Sequence, residues 1–201
     1  MSNKLRPAIL ILAIGALAFS LGYVVFPHAG EFPGDIHNAS GASLDPAAAA
    51  PYFTVHDFDG TEVRSEEFEG KIVVIDFWAT WCGPCLVEIP HYNELHHDYV
   101  DKGVEMLGIT LQSGSTEQVQ EWLARPIRVG TEEFEIEYPV VMGNAEIEAT
   151  WGPIYGFPMT YLVDSNWKIR KKWLGAVPDK AGQLRILIDE LLEEQQEQAT
   201  N

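Results

Sequence analysis

Residues 71–78 run Lys-Ile-Val-Val-Ile-Asp-Phe-Trp, an apolar stretch interrupted by one acidic residue, Asp76. A run of that length rich in β-branched residues predicts a strand covered on both faces, as in a parallel sheet. Ahead of it, 52–58 and 61–63 flank Asp59-Gly60 and predict a hairpin, with a loop or short helical turn over 66–70. After it, a helix is expected from Cys82 to about Tyr99, with Pro90 bending it from inside by removing one ladder bond. A strand over 104–111 follows, then a helix capped by Ser115 or Thr116 and running through Leu123. Residues 125–138 show no clear period and are read as a longer loop, a place where partner specificity can reside. A short strand over 139–142 and a helix over 145–151 come next. Segments 161–163 and 167–174 form an antiparallel hairpin across Asp164-Ser165-Asn166. A terminal amphipathic helix over 181–195 gathers Leu184, Leu187, Ile188, Leu191 and Leu192 on one face, leaving Glu190, Glu193, Glu194 and Glu197 to solvent. Strands alternating with helices, then a hairpin and a helix, predict an α/β domain: a mixed sheet with helices on both sides. No internal repeat is visible.

The N-terminal quarter follows other rules. Lys4 and Arg6 precede residues 8–26, which carry no charge over about the length a helix needs to cross a bilayer. Two readings fit: a signal peptide cleaved near Ala16-Leu17-Ala18, or an uncleaved anchor. The apolar character continues through Leu21, Val24, Val25 and Phe26, which favours the anchor. Basic residues before the span and Glu31 and Asp35 after it place the domain outside the cytoplasm. Residues 27–50, rich in Gly, Ala, Ser and Pro, read as a flexible linker. The expected organisation is thus an anchor or signal over 1–26, a linker over 27–50, a folded domain over 51–195 and a tail over 196–201.

Of the 201 residues 46% are hydrophobic, enough for a core, and the net charge is −17. That charge argues against a nucleic-acid surface, which needs clustered cations. The basic run Lys168, Arg170, Lys171 and Lys172, interleaved with Ile169 and Trp173, reads as the solvated face of a strand. His91, His96 and His97 follow the cysteines on the same predicted helix. Adjacent His96 and His97 point to different faces, so a zinc site is not expected.

The chemistry concentrates in Trp81-Cys82-Gly83-Pro84-Cys85, which holds both cysteines of the chain. Two intervening residues at a helix start bring the sulfurs within reach of a small-ring disulfide. The unpaired N–H groups and positive dipole end there favour a thiolate, so Cys82 is the expected nucleophile. Cys85, a turn deeper, would resolve the mixed disulfide. Pro84 suits a first helical turn, where a missing N–H costs nothing.

These residues resemble the thioredoxin active site. The wider pattern, 77–85 followed by Glu88-Ile89-Pro90, with Gly156-Phe157-Pro158-Met159-Thr160 downstream, is similar to the membrane-tethered TlpA/ResA/CcmG-type thiol-disulfide oxidoreductases over roughly residues 51–193. The resemblance implies a thioredoxin-like mixed sheet with an N-terminal β-hairpin extension, and a cis Pro158 facing the dithiol. Trp81, Gly83, Pro84, Phe157 and Pro158 would then form the client-binding surface, with the Phe157 backbone open to a substrate strand. Asp76 matches the buried aspartate of thioredoxin; desolvation would raise its pKa until it can accept a proton from Cys85, the alternative being a salt-bridged or solvent-reaching strand-end aspartate. Glu88 matches a glutamate that tunes the dithiol in ResA-like relatives, the alternative being a surface glutamate favoured by the helix dipole.

The implied activity is an extracytoplasmic disulfide reductase at the bacterial inner membrane, or secreted to the periplasm after cleavage. It would act on a cysteine-containing client, such as apocytochrome c or a copper-site assembly factor, and be recharged by a membrane donor of the DsbD/CcdA kind. No cofactor beyond the Cys82–Cys85 disulfide is expected. Two other classes compete: a binding module with a structural disulfide, which would resist dithiothreitol, and a peroxiredoxin-like peroxidase, which would consume peroxide. The Cys-x-x-Cys pairing counts against the latter.

Overall fold

The computed structural model describes residues 48–200; the predicted anchor or signal over 1–26, and the part of the predicted linker over 27–47, lie outside the described residues. Among the described residues no helix is long and apolar enough to cross a membrane.

A short antiparallel pair, β1 (Thr54–His56) and β2 (Glu62–Arg64), and a 3₁₀ turn at Ser65–Phe68 lead into β3 (Ile72–Trp78). Helix α1 (Gly83–Tyr99) follows, with Pro90 inside it, then β4 (Val104–Thr110) and helix α2 (Thr116–Leu123). Ser115 caps α2 through a reciprocal pair of bonds with Gln118, which satisfies two otherwise unpaired donors. Strands β5 (Ile127–Val129), β6 (Glu132–Phe134) and β7 (Val140–Met142), helix α3 (Ala145–Thr150), strands β8 (Met159–Val163) and β9 (Ile169–Leu174) and helix α4 (Lys180–Thr200) complete the order. The main sheet is seven-stranded, β2-β1-β7-β4-β3-β8-β9, parallel among β7, β4 and β3 and antiparallel elsewhere. It is a thioredoxin-like mixed sheet flanked by helices, with the hairpin extension on its β7 edge.

Every residue of β3 is buried, and the period of two along it divides the core. Val73, Ile75 and Phe77 face one layer with Trp151, Tyr161 and Ile147, where the rings of Phe77, Trp151 and Tyr161 meet within 6 Å. Ile72 and Val74 face the other, beneath α1 and α4, through Ile89, Tyr92, Leu95, Leu184, Ile188 and Leu191. Each such apolar side chain contributes about 1.5–3 kcal/mol on burial. The same alternation puts Asp76 on the α1/α4 side, where a carboxylate costs rather than stabilises.

Four expectations need correction. The segment 125–138 is not simply a loop, because β5 and β6 form a two-stranded ribbon across Gly130-Thr131, with Ile127 buried and Val129 and Phe134 half-buried. Strands of three residues are too short to set a readable period. Residues 48–50 are not part of a free linker: the Ala48 carbonyl accepts from the Ile169 N–H, and Ala50 N–H donates to the Trp167 carbonyl, so these residues extend the sheet. Residues 196–200 are no separate tail, since α4 runs to Thr200. Finally, Glu194 is not merely solvated: it takes a two-pronged bond from Arg170 of β9, at 2.7 and 3.0 Å.

Candidate active site

Strand β3 ends at Trp78, and a three-residue connection delivers Cys82 to the N-cap of α1, where its sulfur accepts the Cys85 N–H at 3.3 Å. That donor is one of the four a helix start leaves unpaired, and it would favour negative charge on the Cys82 sulfur once the bond opens. In this structure the two cysteines form a disulfide with Cα atoms 5.3 Å apart. Both cysteines are buried, Cys82 being 4% exposed and Cys85 1%. Cys82 is the outer of the two, and both are wrapped by Trp78, Ala79, Leu86 and Phe157.

Two anchors hold the connection. Thr80 N–H donates to Ser113 Oγ at 3.0 Å, and Trp81 Nε1 donates to the Gln112 carbonyl at 2.8 Å. With its indole N–H satisfied, Trp81 presents an otherwise exposed ring, 63% open, edge-on to Phe157 at 5.8 Å. Gly83 and Pro84 are exposed beside it. The Phe157–Pro158 peptide is cis, as the resemblance implied, and the Gly152–Pro153 bond is also cis.

Asp76 is 2% exposed, and the strand-end alternative does not hold: it lies inside β3, register-paired with Gly108 on one side and Thr160 on the other. Its Oδ1 accepts the Thr160 hydroxyl at 2.9 Å. Burial pushes its carboxyl up to about 7, against the lowering influence of the Lys180 charge and the Thr160 bond, and with Glu88 adding to the rise. Gly108 leaves room for the cover over this spot. A Cβ there would stand 3.0 Å from the Tyr138 ring and 3.1 Å from Trp78 Nε1.

Glu88 is not a plain surface glutamate either. Its side chain is 13% exposed and ion-paired at 2.9 Å with Lys180 of α4, whose own side chain is 2% exposed. Tyr92, one turn further along α1, donates to Glu88 at 3.2 Å and touches Thr160 at 3.1 Å. Burial, then the charges of Asp76 and Glu88, hold the Tyr92 phenol well above its ordinary value, and the same causes act on Tyr138. Asn93 braces the segment before β7 over α1, donating to the Glu135 carbonyl and accepting the Glu137 N–H. Thr160, Tyr92 and Lys180 were missed by sequence reasoning. Thr160 stood in the Gly-Phe-Pro-x-Thr motif and could have been singled out; a lysine opening an acidic helix carries no such signal.

Outside Glu88 and Lys180, a groove of about 500 Å³ runs between the first turns of α1 and the start of α4, lined by Pro84, Val87, His91, Val177 and Pro178 among others. His97 pairs with Glu137, and among the described residues no group of three or more His, Cys, Asp or Glu is placed to hold a metal ion. The arrangement can do dithiol chemistry: a sulfur at a helix start, a second sulfur behind it, and a buried carboxyl that titrates near neutrality.

Comparison with known proteins agrees with that chemistry. Residues 46–172 match the family model described as the AhpC/TSA family. The thiol-disulfide oxidoreductase ResA of Geobacillus thermodenitrificans is 32% identical over 167 residues, covering 83% of this chain and 84% of that protein. ResA of Bacillus thuringiensis is 30% identical over 165 residues, covering 82% and 83%. Among solved structures, one described as a thiol:disulfide interchange protein DsbE from Chlorobium tepidum superposes with a TM-score of 0.64 at 28% identity, covering 75% of this chain and 99% of that one.

Proposed function

The chain belongs to the AhpC/TSA family and is a thiol-disulfide oxidoreductase of the thioredoxin-like TlpA/ResA/CcmG type, and from this we propose that it reduces disulfides of client proteins outside the cytoplasm, through Cys82 and Cys85. The observation that carries the proposal is the Cys82–Cys85 pair at the N-cap of α1, with the inner N–H already directed at the outer sulfur.

In the reducing direction the Cys82 thiolate attacks a client disulfide, forming a mixed disulfide and releasing one client thiolate. Cys85 then loses its proton, with Asp76 as acceptor, and attacks the Cys82 sulfur. The client's second sulfur leaves as a thiolate, the Cys82–Cys85 disulfide closes, and two electrons have passed to the client. Trp81, Gly83, Pro84, Phe157 and Pro158 form the contact surface for the client in this reading. Gly83-Pro84 between the cysteines supports the reducing direction. The basic start, the uncharged residues 8–26 and the acidic exit support a bacterial inner-membrane anchor with the domain on the periplasmic side. Electrons then come from a membrane donor of the DsbD/CcdA kind, and apocytochrome c or a copper-site assembly factor is the proposed client.

The test is a trap in the native host. Cys85→Ser leaves Cys82 without its resolving partner, so client adducts accumulate that dithiothreitol releases and that the Cys82→Ser/Cys85→Ser double variant does not form. Equal adducts in both variants would overturn the proposal. The burial of both sulfurs favours one second reading, a structural disulfide in a binding module. Under it the native bond resists dithiothreitol and neither thiol is alkylated under native conditions.

A further inference from the structure

Four side chains form a continuous line of oxygens from the buried strand to the groove. Thr160 Oγ1 lies 2.9 Å from Asp76 Oδ1 and 3.1 Å from Tyr92 Oη, and Tyr92 Oη lies 3.2 Å from Glu88 Oε2. Three oxygen–oxygen links thus join two carboxyl groups, with two hydroxyl protons to fill them. If Thr160 donates to Asp76 and Tyr92 donates to Glu88, the two hydroxyl oxygens face each other with no proton between them. A third proton completes the line, and it belongs to one of the carboxyls. When Asp76 holds it, Asp76 donates to Thr160, Thr160 to Tyr92 and Tyr92 to Glu88. Shifting all three protons by one link transfers the acid from Asp76 to Glu88 while every heavy atom stays in place.

Lys180 flanks this line. Its Nζ is 2.9 Å from both Glu88 oxygens and 3.3 Å from Thr160 Oγ1. An ammonium has three donors and no acceptor, so it cannot be a link. Its positive charge instead favours a carboxylate at the Glu88 end and leaves the proton at the Asp76 end.

We propose that Asp76, Thr160, Tyr92 and Glu88 form a proton chain connecting the buried base for Cys85 to the solvent groove, with Lys180 as the positioning residue whose charge decides which carboxyl holds the proton. The inference rests on the thiol-exchange reading above and adds the route by which the Cys85 proton leaves. Cys85 gives its proton to the Asp76 carboxylate; the chain shifts by one link at each step; Glu88, partly open at the groove edge, releases the proton to water. Tyr138 also faces Asp76 from the segment before β7, and His91 and Asp179 border the groove beside Glu88 and Lys180.

The experiment is stopped-flow reaction of the reduced protein with a bis(nitrobenzoate) aryl disulfide whose released thiolate is coloured. The first phase reports Cys82 attack and the second reports Cys85 displacing the remaining aryl thiolate, with release of one proton. Losing a nearby cation raises a carboxyl's pKa and losing a nearby anion lowers it. Lys180→Met therefore moves the midpoint of the second-phase pH profile up by about one unit, slowing it about tenfold near neutrality, and Lys180→Arg restores most of the rate. Glu88→Gln moves the midpoint down. Tyr92→Phe keeps both charges and leaves the midpoint in place, but lowers the plateau about tenfold and reduces its solvent deuterium isotope effect to that of the single Cys85-to-Asp76 transfer. Midpoints that move in the same direction in the Lys180 and Glu88 variants, as general loosening would produce, overturn the chain, as does a wild-type plateau in Tyr92→Phe. A wild-type protein with no first phase overturns the thiol-exchange reading itself, and the chain with it.

Discussion

Cys82→Ser lowers the reduction of insulin by dithiothreitol-recharged protein by about a thousandfold or more, to the background of dithiothreitol alone. A hydroxyl at this position cannot form the mixed disulfide, so the two-electron path has no first step. Cys85 cannot take over, because it is 1% exposed and buried in one apolar cluster with Trp78, Ala79 and Leu86. The asymmetry is the informative part. Cys85→Ser retains the first attack and loses turnover, whereas Cys82→Ser loses both. The helix start explains why the outer sulfur is the one that works: the Cys85 N–H, 3.3 Å from it, is a donor already oriented toward a developing anion. A Cys82→Ser protein that reduces insulin at the wild-type rate would remove the dithiol from the mechanism.

Asp76→Asn makes the protein more stable at alkaline pH and leaves it close to wild type under acid conditions. The carboxyl is pushed up to about 7 in the fold from 3.8, so between those values the folded state holds a proton that the unfolded state has lost. Stability from this group is fully present below 3.8 and falls as pH rises through about 7. At about 1.4 kcal/mol per pH unit, the ionised form costs the fold about 4 kcal/mol. Asparagine keeps an acceptor for Thr160 and never ionises, but its amide donors lack an assigned partner, which offsets about 1 kcal/mol. The measurement is urea unfolding of both oxidised proteins in acetate buffer and in mildly alkaline buffer. The expected difference grows by about 3 kcal/mol in favour of the variant on going to alkaline pH. Parallel pH dependences for the two proteins would mean that Asp76 does not titrate near neutrality. Such a cost in a strand whose other members are all apolar is consistent with a group retained for its chemistry.

Much of this architecture follows from local pattern alone. The apolar run at 72–78, the cysteines at the next helix start, the Ser115 cap and the leucine face of α4 are each decided within one element, by periodicity, capping or turn chemistry. So the sheet's central strand, the dithiol and the identity of its outer sulfur were legible in the sequence. The β5–β6 ribbon was not, because three-residue strands leave no period and are held by their mutual pairing and by α1 beneath them. The extension of the sheet by Ala48–Ala50 was hidden for a similar reason, since its bonds are to residues 167–169.

The polar half of the site was decided only by tertiary packing. Thr160 reaches Asp76 across 84 residues of chain, Tyr92 reaches Thr160 across 68, and Lys180 reaches Glu88 across 92. Nothing local distinguishes that lysine from a solvated one or that tyrosine from a core ring. Their roles come from strand register, which sets Thr160 opposite Asp76, and from the placement of α1 and α4 on the same face of the sheet. Spacing along a chain specifies which side of an element a residue occupies, whereas the partner it meets there depends on how separate elements stack, and that is set by the burial of the whole core.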